Sequence, residues 1–530
     1  MGTTVNSVFR GRSVNVIEDF SIDERRYFFR KVSELKQAIA AGDEKKQDEF
    51  RINDPDFGIY SVFLENSTRT KESFKNAAKF HHAKVSELLT TSSSINKGES
   101  YADTFNTVTG YQNTLFVVRS TVEGLTKWLS EETAEYTARN GLPYTPCFIN
   151  AGDGKHEHPT QELLDEFTFL EDNAMSFDSI HVALVGDLYH GRTVHSKADG
   201  LKLFDSVKVD LIAPDELQMP DSYVEKMKEN GFTVRSFSSI AEYLESDDIS
   251  DKWYFTRPQL ERMGERILQK QDVLRDSITF KKEFLSKVRP GTRFYHPLPR
   301  HKEHPTIPAW LDKTKLNGWE RQSINGYYCR IVLIGLLAGA FGDDYVPAAV
   351  PAPAEEADYI HEVAVDPNKV KSEYSEGVRP IRNGLVIDHI SRGKTPHEIR
   401  QHMNLIIKVM GLDDARGGEW ISRGADGSFK GIIFRPETTE LTRKELKRLA
   451  AVAPGSTLNL IRDGRVERKF RANMPPRIYN FDDLCCANEA CITNPVNAEH
   501  VPAAFYRTPD GHFACAYCGR FHTFQEIWKK

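Results

Sequence analysis

The chain has 530 residues, 39% hydrophobic and 28% charged, with a formal net charge of −6. That length exceeds a single hydrophobic core and points to three or four domains of a soluble, cytoplasmic type, since the start "MGTTVNSVFRGRSVNV" carries no apolar stretch of signal-peptide length. The slightly acidic balance excludes a basic nucleic-acid or membrane-surface footprint, and the longest apolar run, 331–341, is far short of the roughly 18 residues that span a bilayer.

An amphipathic run over 22–42 predicts a core-packing helix. "GIYSVFLE" (58–65) then reads as a strand, and "STRT" (67–70) leaves it to enter the helical "KESFKNAAKFHHA". "TLFVVR" (114–119) ends on Arg119. His158 and Gln161 fall between the apolar "PCFIN" and a helix whose Leu163, Leu164, Phe167 and Leu170 mark a buried face. "HVALVGDL" (181–188) precedes a loop with Arg192, "VKVDLIAP" (207–214) follows, "KWYFTR" (252–257) leads to Arg257 and Gln259, and "RFYHPLP" (293–299) closes the series. Continuous apolar strands alternating with helices predict two parallel-sheet α/β domains.

Residues 343–377, rich in Pro, Ala and acidic side chains, read as a linker. Beyond it, "GLVIDHIS" (384–391), a helical 395–411, "GIIFRPE" (431–437), a helical 441–455 and "STLNLIRDGRVERKF" (456–470) predict a small α+β domain. Asp463-Gly464 between alternating apolar positions is a hairpin signal. Five of the seven cysteines lie in the last 46 residues. Cys486-x4-Cys491 and Cys515-x2-Cys518 have the spacing of a closed four-thiolate zinc site, with Cys485 an adjacent competitor. Residues 471–530 carry six Lys/Arg and six Asp/Glu, a poor footprint for nucleic acid.

Ser67, Thr68, Arg69 and Thr70 stand where a strand hands over to a helix, so an anion at the helix N-terminus is one reading and a plain capping box with Glu72 the other. Arg69, Arg119, Arg192 and Arg257 all follow strands, where open α/β sheets bind ligands, and together they suit a polyanionic ligand set. Walker A, G-x-G-x-x-G and G-x-S-x-G motifs are missing, so nucleotide hydrolysis, dinucleotide redox and serine hydrolysis lose support, and a set of arginines, hydroxyls, one His and one Gln fits group transfer by positioning and charge stabilisation.

"STRT" (67–70), "HPTQ" (158–161), "GRTVHS" (191–196), "TRPQ" (256–259) and "HPLPR" (296–300) occur in the order of an aspartate carbamoyltransferase catalytic chain, which residues 10–342 resemble. The resemblance implies transfer of a carbamoyl group from carbamoyl phosphate to L-aspartate, with no cofactor for catalysis, at the start of pyrimidine synthesis. It implies that Ser67, Thr68, Arg69 and Thr70 hold phosphate, and that Arg119, His158 and Thr70 polarise the carbamoyl carbonyl. Gln161 and the Pro297 and Leu298 carbonyls would hold the carbamoyl amino group, and Arg192, Arg257 and Gln259 the aspartate carboxylates. Ser93 and Lys97 would reach in from a neighbouring subunit, so at least a homotrimer is expected. Carbamoylation of another amine such as ornithine, and a catalytically silent assembly partner, are the alternatives.

Residues 378–530 resemble the regulatory chain of the same enzyme, on "GLVIDHIS" and "CANEACITN…CAYCGR". That implies one structural zinc per chain on Cys486, Cys491, Cys515 and Cys518. It also implies a CTP/ATP effector site at Asp388, His389, Asn459, Ile461, Val466 and Lys469, with departures at Pro380, Phe434 (where a lysine is expected) and Gly464. The expected domains are 1–150, completed by a helix near 320–342, then 151–319, the linker 343–377, 378–470 and 471–530.

Overall fold

The computed structural model describes residues 7–88, 94–259, 270–347, 359–365, 381–412, 416–424, 426–436 and 440–528. It divides into two compact units, Met1–Ala349 with Ala490–Ile492, and Val350–Glu489 with Thr493–Lys530.

The first unit holds two parallel sheets. β1 (Gly58–Phe63), β2 (Lys84–Leu88), β3 (Leu115–Ser120) and β4 (Cys147–Asp153) are ordered β2-β1-β3-β4. β5 (Ser179–Val185), β6 (Ser206–Ile212), β7 (Thr233–Phe237), β8 (Lys252–Phe255) and β9 (Arg293–Tyr295) are ordered β7-β6-β5-β8-β9. Every residue of β3, β4 and β8 is buried, which is why these strands read as unbroken apolar runs. The edge strands β2 ("KVSEL") and β7 ("TVRSF") escape sequence reading because edges carry polar residues.

The helix Trp319–Ala338 returns to the first sheet and packs against the helices Ile22–Ala41, Thr68–Phe80 and Pro159–Asp172. Its near-continuous buried surface (Cys329 through Leu337) explains its apolar sequence. A boundary at 150 cuts β4, which runs to Asp153, and the helix Pro159–Asp172 packs on β4 and on Trp319–Ala338; the first α/β layer therefore extends past residue 150.

In the second unit, β10 (Ile360–Glu362), β11 (Gly384–Ile390), β12 (Gly418–Arg423), β13 (Phe429–Pro436), β14 (Thr457–Arg462) and β15 (Arg465–Ala472) form an antiparallel sheet, β10-β15-β14-β11-β13-β12. The helices Pro396–Met410 and Arg443–Val452 begin with capping boxes, Thr395 with Glu398 and Thr442 with Glu445. Asp463 (φ 47°) and Gly464 (φ 78°) make the two-residue turn between β14 and β15, as their sequence predicts. The expected linker differs: Ile360–Glu362 is a strand paired with β15, too short to show a period in sequence. Residues 348–358 and 366–377 of that stretch lie outside the described residues. The terminal sheet is antiparallel, β16 (Arg477–Ile478), β17 (Phe505–Arg507), β18 (Phe513–Cys515) and β19 (Phe521–His522).

Candidate functional site

Five parallel strands of the first unit point their carboxyl ends at one cleft. Its lining includes Glu65 after β1, Gly154 and Lys155 after β4, His190, Gly191 and Arg192 after β5, Thr256, Arg257 and Gln259 after β8, and His296 to Pro299 after β9. Arg119 is the penultimate residue of β3 and buried. The placement follows from strand geometry: alternating side chains are fixed within the sheet, and only beyond its edge can several turn towards one point.

Arg119 and Arg192 meet at Gly152. Arg119 Nη1 donates to the Ala151 carbonyl at 3.0 Å, Arg192 Nη1 donates to the Gly154 carbonyl, and Arg119 Nη2 pairs with Glu65 at 2.8 Å. Gly152 has φ 114°, and a Cβ there would lie 2.5 Å from Arg119 Nη1 and 3.3 Å from Arg192 Nη2, so only glycine lets both guanidiniums approach. Burial, and then Arg192, pull the Arg119 pKa down to about 10. Burial also holds His158 well below the usual imidazole range, helped by Arg192, Arg119 and Arg330. His296 is lowered to about 3 by burial and then by Arg300, Arg69 and Arg257. Both histidines are therefore neutral at pH 7, in a field of arginines that favours anionic ligands.

Ser67 is the N-cap of the helix Thr68–Phe80, yet its side chain makes no capping hydrogen bond. The capping-box alternative with Glu72 is thus not what forms, and the first-turn N–H groups keep their positive end for another acceptor. Thr70 is buried, while Thr68 and Arg69 are exposed. Leu298 (φ 57°) is held by its N–H to His296 Nδ1 at 2.8 Å, and the His296 N–H donates to Gln322 Oε1 at 2.8 Å, which fixes the turn carrying the Pro297 and Leu298 carbonyls. Gln259 is anchored through its N–H to Asp187 Oδ2 at 2.8 Å, and its side chain donates to the His190 carbonyl at 3.3 Å.

The cleft gathers Arg192, Arg257, Gln259, Pro297 and Leu298, and the electrostatic coupling of His296 brings Arg69 beside it. Gln161 is turned aside, donating to Asp165 Oδ1 at 2.9 Å. Lys97 is exposed on the short turn Ser94–Lys97 and is not among the cleft's lining residues; Ser93 lies outside the described residues. Glu65 and Arg330 were not singled out from sequence. Their signals are a carboxylate two residues before "STRT" and an arginine inside an apolar helix.

The thiolate set also forms. One ligand atom from each of Cys486, Cys491, Cys515 and Cys518 lies within 4.8 Å of the others, and all four residues are buried. Cys486 Sγ is 3.6 Å from Cys518 Sγ, against about 3.8 Å for a tetrahedron with Zn–S bonds of about 2.3 Å. Cys485 stays out of the cluster, with its thiol donating to the Cys486 carbonyl at 3.4 Å. Four soft thiolates with no open position fit a structural zinc and not a catalytic one.

The effector positions occupy β11, β14 and β15, where Val386 pairs with Asn459, Asn459 with Lys469 and Ile461 with Val466. Asp388, Asn459 and Lys469 are half-buried, whereas Ile461 is buried beyond a bulge between Leu460 and Ile461. Phe434 stands where a lysine was expected, but Lys430 on the same strand reaches Asp388 at 2.9 Å. His389 is lowered by burial against the raising effect of Asp388, with Lys430, Arg392 and Lys469 adding to the lowering. Pro380 lies outside the described residues.

Comparison with known proteins agrees with this geometry. Four family models match in succession: "Aspartate/ornithine carbamoyltransferase, carbamoyl-P binding domain" over 12–171, its "Asp/Orn binding domain" over 178–333, and the "Aspartate carbamoyltransferase regulatory chain" allosteric domain over 376–473 and metal binding domain over 476–528. Protein PyrBI of Treponema denticola is 64% identical, with 98% of each chain covered, and Protein PyrBI of Thermotoga maritima is 52% identical over 98% of this chain and 99% of its own. The crystal structure of aspartate transcarbamoylase from Trypanosoma cruzi with N-(phosphonacetyl)-L-aspartic acid is 28% identical, covers 63% of this chain and 98% of its own, and gives a TM-score of 0.53. Among the described residues no helix is long and apolar enough to cross a membrane. An arginine-lined cleft, a closed thiolate site and full-length fused relatives converge: the chain belongs to the aspartate carbamoyltransferase family, with catalytic and regulatory chains joined in one polypeptide.

Proposed function

We propose that the cleft binds carbamoyl phosphate and then L-aspartate, and that the residues named from the sequence carry the reaction to N-carbamoyl-L-aspartate and phosphate. The single observation behind this is the meeting of Arg119 and Arg192 at Gly152, beside Arg257, Gln259 and a helix N-terminus whose cap side chain is unused.

The N–H groups of Ser67 to Thr70, with the Arg69 guanidinium and the hydroxyls, hold the phosphate. Arg119, Thr70 and neutral His158 donate to the carbamoyl carbonyl oxygen, whose charge grows as the aspartate amine attacks. The Pro297 and Leu298 carbonyls accept from the carbamoyl amino group, and Gln161 joins them once it leaves Asp165. Arg192, Arg257 and Gln259 hold the two aspartate carboxylates. The C–N bond forms as the C–O bond to phosphate breaks, and the departing phosphate takes the amine proton, so no separate base is required. Glu65 pairs with Arg119 in the absence of ligand and must yield it to the incoming carbonyl.

Ser93 and Lys97 act from a neighbouring subunit, which makes at least a homotrimer the active form; the exposure of Lys97 supports that reading. CTP or ATP binds the face carrying Asp388, His389, Asn459, Ile461, Val466 and Lys469, with Lys430 supplying the cation that Phe434 does not. The enzyme works in the cytoplasm, where thiols stay reduced for zinc.

The test is product formation from carbamoyl phosphate with L-aspartate or with ornithine, for the parent and Arg69→Ala. Aspartate-dependent turnover that Arg69→Ala abolishes is expected. Turnover with ornithine alone would move the substrate assignment, and none with either would make the chain a silent partner.

A further inference from the structure

Arg330 is the one arginine on the helix Trp319–Ala338 that is buried along with its apolar stretch. Among the described residues no carboxylate pairs with it. Its Nη1 donates to Ser73 Oγ at 2.9 Å, on the helix Thr68–Phe80, and its guanidinium lies 4.9 Å from the Phe74 ring centre. Its Nη2 donates to Thr160 Oγ1 at 3.3 Å, on the helix Pro159–Asp172. Thr160 Oγ1 is in turn 3.4 Å from His158 Nδ1. The arginine thus ties together the helix that starts at the phosphate cradle and the helix that starts at His158.

We infer that Arg330 and Thr160 form a positioning relay that sets the His158 tautomer, leaving Nδ1 bare and the proton on Nε2, where it can be donated to the carbamoyl carbonyl. Donor and acceptor capacity support this direction. A guanidinium can only donate, so it takes one of the two lone pairs of the Thr160 oxygen and leaves the hydroxyl proton free to be given. His158 Nδ1 is the ring nitrogen within reach of that proton, and an imidazole accepting at Nδ1 while neutral carries its hydrogen at Nε2. The two relay contacts, at 3.3 and 3.4 Å, are long, as is common before a ligand tightens a site. Burial among three arginines keeps the ring neutral, so the relay has a tautomer to choose and not a charge to stabilise. Because the same guanidinium holds Ser73, movement of the phosphate helix is coupled to the orientation of the histidine. The inference rests on the reading of His158 as a carbonyl donor.

The experiment pairs kinetics with 15N NMR of the His158 ring in the full-length protein at neutral pH, for the parent, Thr160→Val, Thr160→Ser, Arg330→Lys and His158→Ala. In the parent, Nδ1 is expected bare and Nε2 protonated. Thr160→Val, nearly isosteric, should shift the ring towards the other tautomer and lower kcat roughly tenfold, a part of the 10²- to 10³-fold typical of losing one oxyanion donor. Its KM for carbamoyl phosphate should change little. Thr160→Ser should restore both readouts, and Arg330→Lys, which cannot span Ser73 and Thr160 together, should weaken kcat and KM jointly. A parent ring protonated at Nδ1, or a Thr160→Val ring unchanged in tautomer and turnover, overturns the relay. If His158→Ala keeps full turnover, the donor reading itself is overturned, whatever the tautomer.

Discussion

The two halves of the chain treat polar side chains in opposite ways. In the first, Arg119, His158, His296 and Arg330 are all less than one-tenth exposed; His296 lines the cleft, and Arg119 pairs with Glu65 of the same lining. In the second, Asp388, His389 and Lys469 sit half-exposed on a sheet face, and the functional groups that are buried are the four thiolates. Burying charge costs free energy unless a partner balances it. An excess of desolvated guanidinium around an opening is therefore evidence for an anionic ligand, while half-exposed charges on a sheet are stable without one. Buried thiolates carry the same message for a cation.

Metal removal is the strongest way to sharpen that contrast. Chelation, or Cys515→Ser, should strip one zinc per chain and unfold residues 476–528, since structural zinc contributes on the order of 10 kcal/mol of apparent binding energy. Metal analysis and hydrogen exchange read this, and persistent protection without zinc would separate the fold from the metal. Next, Arg119→Ala should lower kcat by roughly 10² to 10³, about 3 to 4 kcal/mol of transition-state stabilisation, without unfolding the first half. Near-normal turnover would remove the argument from desolvated cations.

A pH test addresses burial alone. His81 is 2% exposed, with Nε2 2.9 Å from the Ile331 carbonyl, and burial lowers it to about 4. Above pH 6.5 it is neutral folded and unfolded. Below that the unfolded chain binds a proton that the folded chain refuses until about pH 4, so stability falls as pH drops. His81→Gln should reduce this loss by up to about 3 kcal/mol between pH 6.5 and 4 in denaturant titrations; identical pH slopes for the two proteins would show that burial of this ring is not the cause. The smallest effect is in the second half. Gly464→Ala, at φ 78°, should cost about 1 kcal/mol and leave zinc and turnover intact, measured as a fall in melting temperature.

Much of this was legible beforehand because it is local. β1, β3, β5, β6 and β8 declare themselves as apolar runs, the Asp463-Gly464 turn by its dipeptide, and the zinc ligands by spacing. What stayed hidden depends on neighbours. β2, β7 and β10 are edges or too short to show a period, and they become strands only because β1, β6 and β15 offer open hydrogen-bonding rims. The capping-box alternative at Ser67 could be decided only by where its hydroxyl points.

Which residues end strands, which cysteines pair in spacing and which arginines recur was set by the one-dimensional order of side chains, because strand, turn and metal-ligand signals act over a few residues. Tertiary structure alone decided that Arg119 and Arg192 share the space beside Gly152, that Glu65 answers Arg119, that Cys485 is left out, and that Arg330 reaches Thr160 from 170 positions away. Those contacts depend on how sheets and helices pack. Packing is settled by the burial of the whole chain and not by any local signal.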